Sequence, residues 1–117
     1  MDRTTVNLQP IIEEYVGDLS RTIAIDGIFL FGSYARGDVR KDSDVDLIVL
    51  SEDFSDMNFI ERMILLSRAR GKGMLEFPAD IIGYTPEEFA DIEKDSVIMR
   101  QAKKEGRFVW KRNNNGA

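Results

Sequence analysis

The 117 residues include no cysteine, no histidine, three prolines and one tryptophan. Without cysteine there is no disulfide, no thiol nucleophile and no thiolate metal site, and without histidine no imidazole can act as ligand, general base or triad member. No run approaches the ~18 apolar residues of a membrane helix, and the opening Met1-Asp2-Arg3-Thr4-Thr5 has no apolar leader core. Positive charge is also short: 16 Lys and Arg against 21 Asp and Glu leave a net charge of −5. That balance argues against broad nucleic-acid binding, whose affinity comes from neutralising phosphates. The expectation is a cytoplasmic protein with no membrane and no direct nucleic-acid contact. One stretch is basic, with Arg100, Lys103, Lys104, Arg107, Lys111 and Arg112 around a single Glu105. It reads as a solvated helix end and strand end whose cations complement the helix dipole.

A chain of this length is one domain, able to bury roughly two thirds of its unfolded surface without staples. The domain is placed at 1–112, and the last five residues, Asn-Asn-Asn-Gly-Ala, are expected to be a disordered tail. Apolar residues at Leu8, Ile11, Ile12, Tyr15, Val16 and Leu19 keep a helical period and predict a helix from about Val6 to Leu19. Gly27 to Phe31 and Val45 to Leu50 are short runs apolar on both faces, as central strands are. Met57 to Ala69 predicts a helix with Met57, Ile60, Met63, Ile64 and Leu65 on its packed stripe, closed by Gly71-Lys72-Gly73. Phe77 to Tyr84 reads as a third strand. Thr85-Pro86-Glu87-Glu88 has the cap residue, proline and acidic first turn of a helix start. A further helix over Ser96 to Lys104 ends at Gly106, and Arg107 to Trp110 forms an edge strand. The order is α-β-α-β-α-β-α-α-β, an α/β (α+β) arrangement with helices packed on a mixed central sheet. Met57, Phe59, Met63, Phe89 and Met99 are expected in the core, with partner binding as the alternative.

The chemistry concentrates between Phe29 and Leu50. Gly32 and Ser33 end a buried strand, and Ser33 is expected to N-cap a short helix through Arg36, closed by Gly37. A strand, a glycine turn and a helix start leave backbone N–H groups unpaired with the positive dipole end behind them, which suits phosphate. Asp44 and Asp46 share one face of the following strand, about 7 Å apart at ~3.4 Å per residue. At that spacing they repel by roughly 2 kcal/mol at an effective dielectric near 20. A divalent cation with oxygen ligands, Mg²⁺ above all, would offset this, although two exposed acids at a strand start are the plain structural alternative. Asp80, inside "FPADIIGY", would be costly as an isolated buried carboxylate. If its strand neighbours the Asp-x-Asp strand, three carboxylates converge at one sheet edge, the layout of two-metal phosphoryl or nucleotidyl transfer.

The segment "GSYARGDVRKDSDVDL" resembles the signature of the DNA polymerase beta-like nucleotidyltransferase superfamily: Gly32-Ser33, ten residues, then Asp44-Val45-Asp46. The small size, Ala35-Arg36-Gly37, Ser43 before the acids and the third acid Asp80 are similar to its minimal nucleotidyltransferase branch. The resemblance covers nearly the whole chain and implies the polymerase beta-like fold. It implies two Mg²⁺ ions held by Asp44, Asp46 and Asp80, with Asp80 also taking the acceptor's proton, and an NTP whose phosphates sit on Gly32 and Ser33. Arg36 would contact a phosphate or clamp Asp38 or Asp44. Ser43 would order its loop, and Tyr34 would pack or face a base. The resemblance also implies an antitoxin that transfers AMP from ATP to a hydroxyl, often tyrosine, of a HEPN-type toxin partner. A non-catalytic neutralising subunit and an adenylyltransferase acting on a small molecule are the alternatives.

Overall fold

Two runs with apolar side chains on both faces form the centre of the sheet, because only a strand covered on both sides buries all of them. The structure, a computed structural model, describes residues 7–112. Strands β1 (Gly27–Phe31) and β2 (Val45–Leu50) pair antiparallel, with Phe31 opposite Asp46. Strand β3 (Ala79–Tyr84) runs parallel to β2 on one side, and β4 (Arg107–Lys111) antiparallel to β1 on the other, giving the order β3-β2-β1-β4. The expected mixed sheet, its two central strands and its last edge strand are all present.

Alternate residues of β1 and β2 serve two separate cores. On one face Ile28, Leu30, Val45, Leu47 and Val49 pack with Ile12, Tyr15, Val16 and Leu19 of α1 (Gln9–Leu19) and Leu66 of α3 (Phe59–Arg68). On the other, Phe29, Ile48 and Leu50 pack with Phe89 of α5 (Pro86–Asp95) and Met99 and Ala102 of α6 (Val97–Glu105). Helix α5 starts with Thr85 and Glu88 in a capping box, as its sequence predicts. Gly106 turns the chain from α6 into β4 where a Cβ would press on the Leu30 carbonyl and the Phe29 ring.

Several boundaries and faces differ from expectation. Helix α1 begins at Gln9, with Pro10 in its first turn, where a missing N–H costs nothing; Val6 and the 113–117 tail lie outside the described residues. Ser33 does not cap the short helix α2 (Ser33–Arg36); it is the first helical residue, and Gly32 is the cap. A 3₁₀ helix over Glu52–Asp56 was not expected, nor was α4 (Lys72–Leu75), a single turn in the segment where Gly71 and Gly73 read as a break. In α3 the expected stripe splits: Met57 and Leu65 are half-buried against the core, whereas Ile60 is 66% and Met63 59% exposed, with Ile64 and Phe59 exposed beside them. The inward row is Arg62, Leu65, Leu66 and Ala69, at helical spacing. Arg62 can occupy it because its guanidinium is saturated. It donates to both carboxylate oxygens of Glu88 at 2.7 and 3.1 Å and to the carbonyls of Phe54, Met57 and Gly83. Of the five residues expected in the core, Phe89 and Met99 are buried, Met57 is half-buried, and Phe59 and Met63 are not.

The basic stretch is largely occupied within the fold. Lys103 pairs with Glu93 at 3.1 Å and donates to the Phe89 carbonyl, and Arg112 pairs with Asp26 at 3.2 Å. Arg100 donates to the Glu93 carbonyl and Arg107 to that of Ala35. No helix among the described residues is long and apolar enough to cross a membrane.

Candidate active site

The parallel pairing of β2 with β3 creates the site. Its register sets Asp46 opposite Asp80, and each is the second residue of its strand, so both lie at the same end of the sheet and on the same face. Asp44, two residues before Asp46, precedes β2 at this end. The shared face is the one whose far end α5 and α6 cover.

On the other side of Asp46, β1 ends at Phe31 and the chain turns through Gly32 at φ +73° and ψ −156°. That conformation favours glycine, and a second reason is spatial: a Cβ there would collide with Asp46 Oδ2. The Asp46 carboxylate therefore lies directly against the Gly32 backbone. The Gly32 carbonyl accepts from the N–H groups of Ala35 (3.0 Å) and Arg36 (3.1 Å), which closes α2. The N–H groups of Ser33 and Tyr34, at the start of α2, have no preceding carbonyl of the helix to reach.

Burial, then Asp80, then Asp44 push the Asp46 carboxyl up to about 6 from its ordinary 3.8, and Arg36 only partly opposes them. Asp44 and Asp80 are themselves exposed. The three acids thus share one sheet edge and repel one another, while no group of three potential ligands is assembled at metal-holding distance among the described residues. Oxygen donors, a carboxylate raised by its neighbours and a glycine cradle beside it fit a Mg²⁺ that takes one or two protein carboxylates and fills its shell with phosphate oxygens and water.

The remaining predicted residues fall around this edge. Arg36 donates to Asp38 at 3.3 Å and to Glu105 of α6 at 3.4 Å; its clamp is on Asp38, with Glu105 as a partner that sequence did not indicate. Ser43 Oγ accepts from the Arg40 N–H at 2.7 Å and so orders the loop before β2. Tyr34 packs against the core on the α1 side.

A groove of about 420 Å³ opens beside Gly32, between α2 and α6, with Phe31, Arg36, Val97, Ile98, Gln101, Ala102 and Glu105 around it. The α6 residues in it were missed, although "VIMRQA" holds two apolar residues, Val97 and Ile98, besides the Met99 and Ala102 that seat the helix. A larger cavity of about 560 Å³ lies between α1 and α3, lined by Asp18, Arg21, Glu61 and Arg68 among others, and has none of the three acids in its wall.

Residues 11–109 match the nucleotidyltransferase domain family. The chain belongs to that family. It is 36% identical over 59 residues to the protein adenylyltransferase MntA of Thermococcus cleftensis, a match covering 50% of this chain and 60% of that protein. The matched segment spans 60% of the length of the curated relatives. A crystal structure of a candidate nucleotidyltransferase from Sulfolobus solfataricus superposes with a TM-score of 0.66 at 26% identity, covering 95% of this chain and 86% of that one. A toxin–antitoxin structure with AMP-PNP shares the fold, with a TM-score of 0.60 at 22% identity over 92% of this chain and 76% of that one. The family resemblance carried by Gly32-Ser33 and Asp44-Val45-Asp46 is borne out, together with the fold it implied.

Proposed function

We propose that this nucleotidyltransferase domain transfers AMP from ATP, with Mg²⁺, to a tyrosine hydroxyl of a HEPN-type toxin partner and thereby acts as an antitoxin. The observation that carries the reading is the Asp46 carboxylate held between the Gly32 backbone and Asp80 with Asp44 alongside, a concentration of negative charge that Arg36 offsets only in part. The names of relatives, a protein adenylyltransferase and a toxin–antitoxin structure with AMP-PNP, agree with it.

In this reading the Ser33 and Tyr34 N–H groups and the Ser33 hydroxyl hold the terminal phosphates, and the Gly32 turn lets them come close to Asp46. Asp44, Asp46 and Asp80 are the metal ligands. Bound Mg²⁺ supplies the positive charge that lets triphosphate approach three carboxylates and steadies the leaving pyrophosphate. Asp80, exposed at the rim, takes the proton of the acceptor hydroxyl. The acceptor oxygen forms a bond to the α-phosphorus, the bond from that phosphorus to the bridging oxygen of the β-phosphate breaks, and pyrophosphate departs. Arg36, set by Asp38 and Glu105, offers its guanidinium near the phosphates.

The test is transfer of label. The protein is incubated with Mg²⁺, ATP labelled at the α-phosphate and the product of its neighbouring gene, in parallel with an Asp44→Ala/Asp46→Ala variant. Label on the partner from the unaltered protein alone is the expected result. Partner binding by both proteins with no label from either would replace the enzyme by a neutralising subunit.

A further inference from the structure

The groove beside Gly32 is unlike the rest of the α6 surface. Met99 and Ala102 already seat the helix on the sheet, yet Val97 and Ile98 stand 74% and 80% exposed, more than any other large apolar residue described. Nothing in the packing of the described residues uses them. They line the groove with Phe31, from the end of β1, and with the backbone of Gly32, whose other side meets Asp46. Gly32 thus borders both the groove and the Asp46 carboxylate, and about 420 Å³ falls within the usual range for small-ligand sites. A second opening, beside Asp80, holds only about 200 Å³.

Its polar rim is ordered. Gln101 Nε2 donates to Glu105 Oε2 at 3.0 Å, and Glu105 Oε1 accepts from Arg36 at 3.4 Å. A carboxylate only accepts, so the bond to Glu105 sets which end of the Gln101 amide is nitrogen. The amide oxygen has no donor among the described residues.

We infer that this groove is the nucleobase subsite: Val97, Ile98 and Phe31 hold the face of a purine, and the Gln101 amide oxygen accepts from its exocyclic 6-amino group. The inference rests on the nucleotidyltransferase reading and adds to it the place and selectivity of the base. An amide oxygen facing the 6-position welcomes adenine and leaves the O6 of guanine opposite another acceptor, so ATP is preferred over GTP. An apolar wall at the mouth of a phosphate site gives sequence-independent contact with the ring, and one oriented amide gives the discrimination.

The experiment measures binding of ATP, GTP and inorganic tripolyphosphate, each with Mg²⁺, by calorimetry to the unaltered protein, Ile98→Ser and Gln101→Leu. Both substituted residues are exposed, and unchanged thermal melting establishes that the variants fold. Ile98→Ser is expected to weaken ATP by about tenfold and leave tripolyphosphate unchanged. Gln101→Leu is expected to reduce the ATP-over-GTP preference by about tenfold. ATP affinity unchanged in both variants, or tripolyphosphate bound as tightly as ATP, overturns the base subsite while leaving the enzyme reading intact. Loss of partner binding by Ile98→Ser at unchanged ATP affinity also overturns it and gives the patch to the partner. Binding of no triphosphate species at all sinks both proposals.

Discussion

Asp46 is the residue on which stability and function oppose each other. Its carboxyl is raised to about 6 by burial, then by Asp80 and Asp44. A folded-state value above the unfolded one means that the associated stability is complete below about 4 and is lost as pH rises through about 6. At pH 7.5 the ionised group therefore costs the fold free energy, about 1–2 kcal/mol after discounting for its partial exposure. Asp46→Asn is expected to raise the melting temperature of the metal-free protein at pH 7.5, with the gain vanishing near pH 4. Millimolar Mg²⁺ should raise the melting temperature of the unaltered protein and leave Asp46→Asn where it was, since a ligand of the native state stabilises only where it binds. Scanning calorimetry of both proteins at the two pH values, with and without Mg²⁺, checks this; a variant less stable at pH 7.5 would refute it. The type and spacing of Asp44 and Asp46 were legible, because i and i+2 share a strand face whatever the strand pairs with. The Asp80 contribution was only conditional, since it depended on which strand β3 would join.

Among the elements, α3 shows how a charged residue can take a core position. The Arg62 guanidinium joins α3, β3, α5 and the 3₁₀ helix through its bonds to Met57, Gly83, Glu88 and Phe54, and it lies over the Phe54 and Phe59 rings. Glu88 closes the circuit by also accepting from the Thr85 N–H in its capping box, and the Arg62 bond lowers its carboxyl below the usual range. Arg62→Met keeps the length but leaves Glu88 and three carbonyls without their donor, so unfolding in urea should show a loss of about 3 kcal/mol. A change below about 1 kcal/mol would mean that the network is replaced by water. Hydrophobic periodicity turned the inward face of α3 too far round, keeping Met57 and Leu65 but adding Ile60, Met63 and Ile64, because it counts arginine as polar and so left Arg62 out. Asn58 and Glu61, whose capping box starts the helix, mark only its beginning. The 3₁₀ helix and α4 were missed for a related reason: each is one or two turns long, too short for a period, and Gly71 and Gly73 disguise the second.

For the whole molecule, the outward row of Phe59, Ile60, Met63 and Ile64 is the apolar surface that the packing of α3 leaves over. Exposed apolar patches of this kind mark interaction sites. The proposed toxin partner is expected to cover it. Ile60→Glu/Met63→Glu should leave the melting temperature within about 1 °C, because these side chains are exposed, and should abolish co-elution with the partner. Intact co-elution by a folded variant would move the interface elsewhere. AMP transfer to the partner should fall with binding, while Mg²⁺–ATP affinity stays unchanged, because the row lies on α3 and the phosphate turn on α2.

The sequence by itself determined whatever is local: two doubly apolar strands that must be central, the Gly-Ser turn, the one-face spacing of Asp44 and Asp46, the capped start of α5 and the family these features resemble. Only the tertiary structure decided the order β3-β2-β1-β4, which seats Asp80 opposite Asp46, presses Gly32 against the same carboxylate and aligns α6 with α2 to open a groove beside them. The division follows the range of the forces. Side-chain alternation, turn chemistry and capping act over a few residues. The β2–β3 pairing that seats Asp80 opposite Asp46 and the Arg62–Glu88 pair join residues 34 and 26 positions apart, farther than any turn or cap reaches.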